Sequence, residues 1–204
     1  MAKISPADLI TNPDGSVYHL NLLPHEIADT IILVGDPARV NMVSSQFDSV
    51  RIIKEKREFI THTGIYKAMA ISVISTGIGI GSMDIVMNEL DALASIDLWT
   101  GEIKQEPKKL KIIRIGTSGS IQRDIIPGDC LVLAKTMGMD NLSDYYKPVY
   151  TKEEQAMLHS IATQLPEGLH FYLGSASLRL LESFESFCKK GMAAVAPGFY
   201  GPQQ

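Results

Sequence analysis

The chain has 204 residues, 45% of them hydrophobic, with 19 Lys and Arg against 23 Asp and Glu and a formal net charge of −4. That apolar fraction excludes a disordered tail, and no stretch approaches the ~18 uninterrupted apolar residues of a membrane span. The mild acidity argues against a broad nucleic-acid surface, and the first residues carry no apolar signal core, so a cytoplasmic globular protein is expected.

Apolar runs alternate with helical stretches along the chain. Thr30-Ile-Ile-Leu-Val34 reads as a buried strand closed by Gly35. Asp36-Pro37 then reads as an N-cap followed by proline at the first helical position, with Val40, Val43 and Phe47 at helical spacing. Strands are expected at 51–54 and 57–63, a turn at Gly64, and an apolar strand over 67–75. A helix from Ser82 to about Ile96 places Met83, Val86, Met87, Leu90, Leu93 and Ala94 on one stripe. Asp84, Asn88, Glu89 and Asp91 then face away from it. Residues 99–109 are polar and broken by proline, which predicts an exposed excursion.

Further strands are expected at 110–115 and 129–134. Thr151-Lys-Glu-Glu154 is a capping box opening a helix with Met157, Leu158, Ile161 and Leu165. A strand over 168–174, a helix over 177–190 stopped by Gly191, and a strand from 192 complete the pattern. Strands alternating with helices indicate an α/β fold with a mixed, largely parallel central sheet flanked by helices, in a single domain covering 1–204. Cys130 and Cys188 have no close spacing, so neither a metal knuckle nor a disulfide framework is expected, and both read as core.

Three segments carry chemistry. In Leu33-Val-Gly-Asp-Pro-Ala-Arg39, a basic side chain sits in the first turn of a helix whose N-terminus is already partly positive. An anion would resolve that conflict, with the close backbone approach that Gly35 allows. The alternative is that Arg39 points into solvent or pairs with Asp36. In Lys111-Ile-Ile-Arg-Ile-Gly-Thr-Ser-Gly-Ser120, Arg114 lies on an apolar strand and needs a partner if buried. The small-residue loop after it stands where open α/β sheets bind ligands. An anion there competes with a structural ion pair to an internal carboxylate.

The third segment, Ser75-Thr-Gly-Ile-Gly-Ile-Gly-Ser82, has the spacing G-x-G-x-G, which departs from the dinucleotide fingerprint G-x-G-x-x-G. Its glycines fit a close ligand approach or a tight turn. His19, His25, His62, His159 and His170 show neither metal-ligand spacing nor a nucleophile partner.

Taken in order, Val34-Gly-Asp-Pro-Ala-Arg-Val40, Arg57-Glu-Phe59, Ser75-Thr-Gly-Ile-Gly79, Arg114-Ile-Gly-Thr-Ser-Gly-Ser-Ile-Gln122 and Pro127-Gly-Asp129 resemble the hexameric-type nucleoside phosphorylases. Val17-Tyr-His-Leu20 and Pro197-Gly-Phe-Tyr-Gly-Pro-Gln203 bring the likeness closer to the uridine phosphorylases. The resemblance runs from about residue 17 to 203. It implies a three-layer fold and reversible phosphorolysis of uridine to uracil and ribose 1-phosphate. Inorganic phosphate is then the co-substrate, and no other cofactor is required.

Carried over by position, Gly35, Arg39, Arg114 and Thr117 hold the phosphate. Arg57 is donated to it across a dimer interface, and the three arginines form the catalytic set. His19 reaches the ribose of a neighbouring subunit's site, while Ser118, Gly119, Phe199 and Gln203 line the base pocket. Glu58, Ile78 and Ser82 match a monovalent-cation position, with K+ as the candidate ion. The implied assembly is a homo-oligomer built from dimers with shared sites, free of membrane and nucleic acid.

Three features depart from the family pattern. Residues 99–109 are inserted, the base-binding Arg expected after Gln203-Gln204 is missing, and so is the Met-Glu-x-Glu segment that grips the ribose hydroxyls. The chain is therefore expected to be part of a longer domain. The competing functions are a purine nucleoside phosphorylase or nucleosidase of the same fold, and a non-catalytic remnant that binds phosphate or dimerises.

Overall fold

The computed structural model describes residues 3–5, 7–166 and 168–201. The chain divides into two compact units, Met1–Ser118 and Gly119–Gln204.

The first unit is built on β1 (Thr30–Val34), α1 (Ala38–Ser44), β2 (Ser49–Lys56), β3 (Phe59–Tyr66), β4 (Met69–Ser75), α2 (Ile80–Ser95) and β5 (Lys111–Ile115). Its sheet has the order β2-β3-β4-β1-β5. The β2-β3-β4 half is antiparallel and the β4-β1-β5 half parallel, so the sheet is mixed as expected.

Alternation along β1 shows how the sequence makes layers. Ile31 and Leu33 join Phe59, Ile74, Val86, Leu90 and Leu93 in one cluster under α2. Ile32 and Val34 turn to the other face and pack with Val73, Val40 and Val43 under α1. A period of two in the strand thus feeds two helical faces, giving a helix–sheet–helix arrangement. Each fully buried aliphatic side chain contributes about 1.5–3 kcal/mol.

Two local expectations change. Gly64 is not a turn but lies inside β3, where the Ser49 carbonyl oxygen stands only 2.2 Å from the place a Cβ would occupy. The reversal falls at Lys67-Ala68, both at positive φ, as a two-residue hairpin loop requires. On α2, Glu89 is buried and Met87 is 41% exposed, the reverse of the expected stripe. Polar atoms from another segment meet Glu89, so helical periodicity could not reveal it. The excursion over 99–109 is mostly exposed, as expected, and is anchored where Lys104 Nζ donates to the carbonyls of Leu93 and Ala94 at the end of α2. That placement sets a cation at the negative end of the helix, where the Ala94 carbonyl also accepts the Lys108 N–H.

The second unit contains β6 (Leu131–Gly138), a 3-10 turn at Leu142–Tyr145, α3 (Lys152–Ala162), β7 (Tyr172–Ser175), α4 (Leu178–Glu182) and β8 (Lys189–Val195). Its sheet has the order β7-β6-β8. The capping box of Thr151 and Glu154 forms as predicted. The helix expected over 177–190 stops at Glu182, because residues from Lys189 onward pair in parallel with β6. Lys189 fixes that register: its backbone N–H donates to the Cys130 carbonyl and its Nζ bonds Asp129 Oδ2 at 2.7 Å. Cooperative strand pairing outweighs the helical pattern of 183–190.

The cysteines also depart from expectation. Cys130 is exposed, Cys188 is half-buried, and the two form a disulfide whose Cα atoms lie 4.8 Å apart. Parallel β6 and β8 begin side by side, which brings together two cysteines 58 positions apart. No helix of the described residues is long and apolar enough to cross a membrane.

The bridge closes a long loop, so its loss is expected to lower the stability of the second unit by about 2–4 kcal/mol. Denaturant titration of Cys188→Ser against the oxidised protein measures this, and equal midpoints would refute it. A second expectation concerns Glu154, whose carboxyl is held down at about 2 by the Ser175 hydroxyl, the Thr151 N–H and hydroxyl, and Lys135. A depressed carboxyl stabilises the fold fully above its usual value near 4.5 and stops doing so as pH falls through 2. Unfolding curves between pH 5 and pH 2 are therefore expected to be flatter for Glu154→Gln than for the parent chain.

Candidate functional site

The parallel half of the first sheet places three chain reversals on one edge. In the register of β1, Val34 lies opposite Ser75 of β4 and Ile115 of β5. The strands therefore end together, and Gly35, Thr76-Gly77 and Gly116-Thr117 leave from the same line. The chain continues from β1 into α1 on one face and from β4 into α2 on the other. Such a divergence opens a crevice beyond the carboxyl ends of the strands.

That crevice is a cavity of about 550 Å³ lined by Gly35, Asp36, Pro37, Arg39, Glu58, Gly77, Ile78, Ser82, Arg114, Gly116 and Thr117. Local bonds shape its floor. Thr76 N–H donates to the Val34 carbonyl at 2.8 Å, tying the β4 end to the β1 end. Gly77 turns at φ +69, and a Cβ there would stand 2.9 Å from Glu58 Cγ. Asp36 Oδ1 accepts from the Ala38 N–H at 2.9 Å, so this carboxylate caps the turn into α1. The helix begins at Ala38, one residue beyond the expected start.

Among the described residues, no ion pair joins Arg39 to Asp36, and none engages Arg114. Arg114 is exposed at the cavity instead of buried against an internal carboxylate. Its guanidinium lies 3.9 Å from where a Cβ would stand on Gly35 and 2.6 Å from where one would stand on Gly116. The missing side chain of Gly116 thus leaves room for the arginine head, whereas a Cβ on Gly35 would only touch it. Two guanidinium groups and the backbone of three glycine-containing turns converge on one space, a donor set suited to a phosphate-sized anion. Asp36 and Glu58 balance the formal charge of the lining, and Asp36 is already engaged by backbone.

Of the residues singled out from the sequence, Gly35, Arg39, Glu58, Ile78, Ser82, Arg114 and Thr117 share this cavity. Arg57 does not line it. It occupies the β2–β3 turn at φ 57, exposed to solvent. His19 lies in the same unit against Glu89, with Nδ1 2.7 Å from Oε1. Ser118 follows the Thr117 loop at the end of the first unit, whereas Gly119 and Phe199 belong to the second. Phe199 is exposed and meets Tyr200 edge to face at 5.5 Å. Gln203 lies outside the described residues. Sequence reasoning set Gly77 and Gly116 in loops open to a ligand without naming them as site residues, and gave Asp36 and Pro37 only the start of a helix. Their signal was positional, since each stands within three residues of a parallel strand's carboxyl end.

The family model for the phosphorylase superfamily matches residues 29–202. The chain is 35% identical over 144 residues to the uridine phosphorylase of Thermococcus kodakarensis, an alignment covering 71% of this chain and 47% of that protein. It is 30% identical over 165 residues to a DeoD-type purine nucleoside phosphorylase of Oceanobacillus iheyensis, covering 77% of this chain and 63% of the relative. Among solved structures, a Trypanosoma brucei nucleoside phosphorylase showing uridine phosphorylase activity superposes with a TM-score of 0.86 at 31% identity. That superposition covers 96% of this chain and 71% of the other. The chain spans about half the length of the curated uridine phosphorylases it matches. With the family model matched over residues 29–202 and the fold superposing at 31% identity, the chain belongs to the phosphorylase superfamily.

Proposed function

We propose that this chain carries the phosphate-binding part of a pyrimidine nucleoside phosphorylase, acting on uridine and inorganic phosphate to release uracil and ribose 1-phosphate. The observation that carries the reading is the pair of Arg39 and Arg114 at the shared edge of β1 and β5, without carboxylate partners among the described residues. The uridine phosphorylases among the relatives support pyrimidine over purine, as does the Phe199-Tyr200-Gly201 loop.

The chemistry follows from charge. Breaking the bond between C1′ and the base nitrogen leaves a cationic, oxocarbenium-like sugar and negative charge on the base. Phosphate held by Gly35, Arg39, Arg114 and Thr117 is both nucleophile and adjacent counter-charge. One oxygen of hydrogen phosphate bonds C1′ as the base departs with the bonding electron pair, and the proton the phosphate gives up passes to the base. Arg57, from the partner subunit of a homodimer, completes the catalytic arginines, and His19 contacts ribose across the same interface. Ser118, Gly119, Phe199 and Gln203 take the base. Glu58, Ile78 and Ser82 hold a monovalent cation such as K+. The assembly works in the cytoplasm.

Incubation of the whole protein with uridine, with and without phosphate, is the test. Uracil release that requires phosphate is expected. Release without phosphate, or turnover of purine nucleosides alone, overturns the reading in favour of a nucleosidase or a purine enzyme. Phosphate binding without any turnover favours a non-catalytic remnant. Arg114→Gln removes a charge-assisted contact and is expected to raise the phosphate KM by about tenfold to a hundredfold, read from initial rates.

A further inference from the structure

Glu89 is a charged residue on the buried face of α2, only 6% exposed, in a layer otherwise made of Val86, Leu90 and Leu93. No lysine or arginine pairs with it among the described residues; its partners all come from a turn some seventy positions earlier. Oε1 accepts from the His19 backbone N–H at 2.8 Å, and Oε2 accepts from the Leu20 backbone N–H at 2.7 Å. The His19 ring nitrogen Nδ1 lies 2.7 Å from Oε1. A buried carboxylate is costly unless its lone pairs are satisfied, and here one short turn satisfies both oxygens.

The turn is otherwise rigid. Val17, Leu20 and Leu22 are fully buried, Lys56 Nζ bonds the Tyr18 carbonyl, and Lys56 lies 4.0 Å over the Tyr18 ring. The His19 ring is held edgewise between Tyr18 at 5.0 Å and Phe59 at 6.3 Å, with about a quarter of the side chain exposed. An ionised carboxylate only accepts hydrogen bonds, so the His19 nitrogen facing Glu89 must carry the hydrogen. Nε2 of the neutral ring is then an acceptor, which suits a hydroxyl donor and not a phosphate or carbonyl oxygen.

We infer that Glu89 is a positioning residue, fixing the tautomer and direction of His19 so that Nε2 accepts a hydrogen bond from one ribose hydroxyl of the nucleoside. The inference rests on the reading that His19 contacts ribose, and two variants separate the failures. Glu89→Gln keeps the shape but leaves a single oxygen to receive the His19 N–H, Nδ1 and the Leu20 N–H, so the ring loses its fixed partner and Nε2 its aim.

The expected result is a uridine KM raised about tenfold, with the phosphate KM unchanged and kcat nearly so. Across 2′-, 3′- and 5′-deoxyuridine, the penalty should vanish for the one substrate lacking the hydroxyl that His19 meets. A merely structural loss would fall equally on all three, and that outcome overturns the inference. If His19→Ala raises the uridine KM while Glu89→Gln stays within twofold of the parent, the role of Glu89 fails alone. If His19→Ala changes nothing, the ribose reading fails and the inference with it. Nitrogen-15 NMR of His19 in the unsubstituted protein needs no variant to fold. Hydrogen on Nδ1 is expected, and hydrogen on Nε2 overturns the inference.

Discussion

The parallel pairing of β1 with β4 on one side and β5 on the other is the constraint from which the site follows. Parallel strands in register must end on the same edge, so the turns after them are neighbours whatever their distance in sequence. Gly35, Gly77 and Gly116 come from three separate stretches, yet one hydrogen-bonded ladder sets their spacing. Val34 is the fixed point: it is buried, and its carbonyl receives the Thr76 N–H. A shift of one residue along β1 would move Gly35 away from Arg114 and exchange Ile31 and Leu33 with Ile32 and Val34 between the two cores.

Electrostatics in this unit divides by depth. Arg39 and Arg114 stand at the open edge, where an anion can reach them and water can hydrate them in its absence. Glu89 is enclosed, and backbone N–H groups neutralise it without a cation. The first arrangement suits reversible binding, because the half-buried Arg39 and the exposed Arg114 hold no internal carboxylate that a ligand would have to displace. The second suits permanence, since freeing Glu89 would strand a charge in an apolar layer.

Much of the first unit was legible because burial and alternation coincide in it. Thr30–Val34 reads as a strand because β-branched residues fill both faces, and Gly35 followed by Asp36-Pro37 marks its end. Arg39 and Arg114 stood out because each basic side chain occupies a place that disfavours it without an anion. What could not be read depended on partners distant in sequence. Gly64 looks like a turn until the Ser49 carbonyl is set against it, and Glu89 looks solvated until the Val17–Leu20 turn covers it. In the second unit, the pattern over 183–190 is helical taken alone, and only β6 makes its end a strand.

The Cys130–Cys188 bridge ties the chemistry of the second unit to its surroundings. It sits where β6 and β8 begin, beside the bond between Lys189 and Asp129, so a covalent link and an ion pair act on the same strand junction. In an oxidising compartment the link holds that junction at any pH. In a reducing one, two thiols remain, and the register rests on Lys189, whose grip weakens once Asp129 is protonated. The acid tolerance of the second sheet is thus a property of the compartment as well as of the sequence.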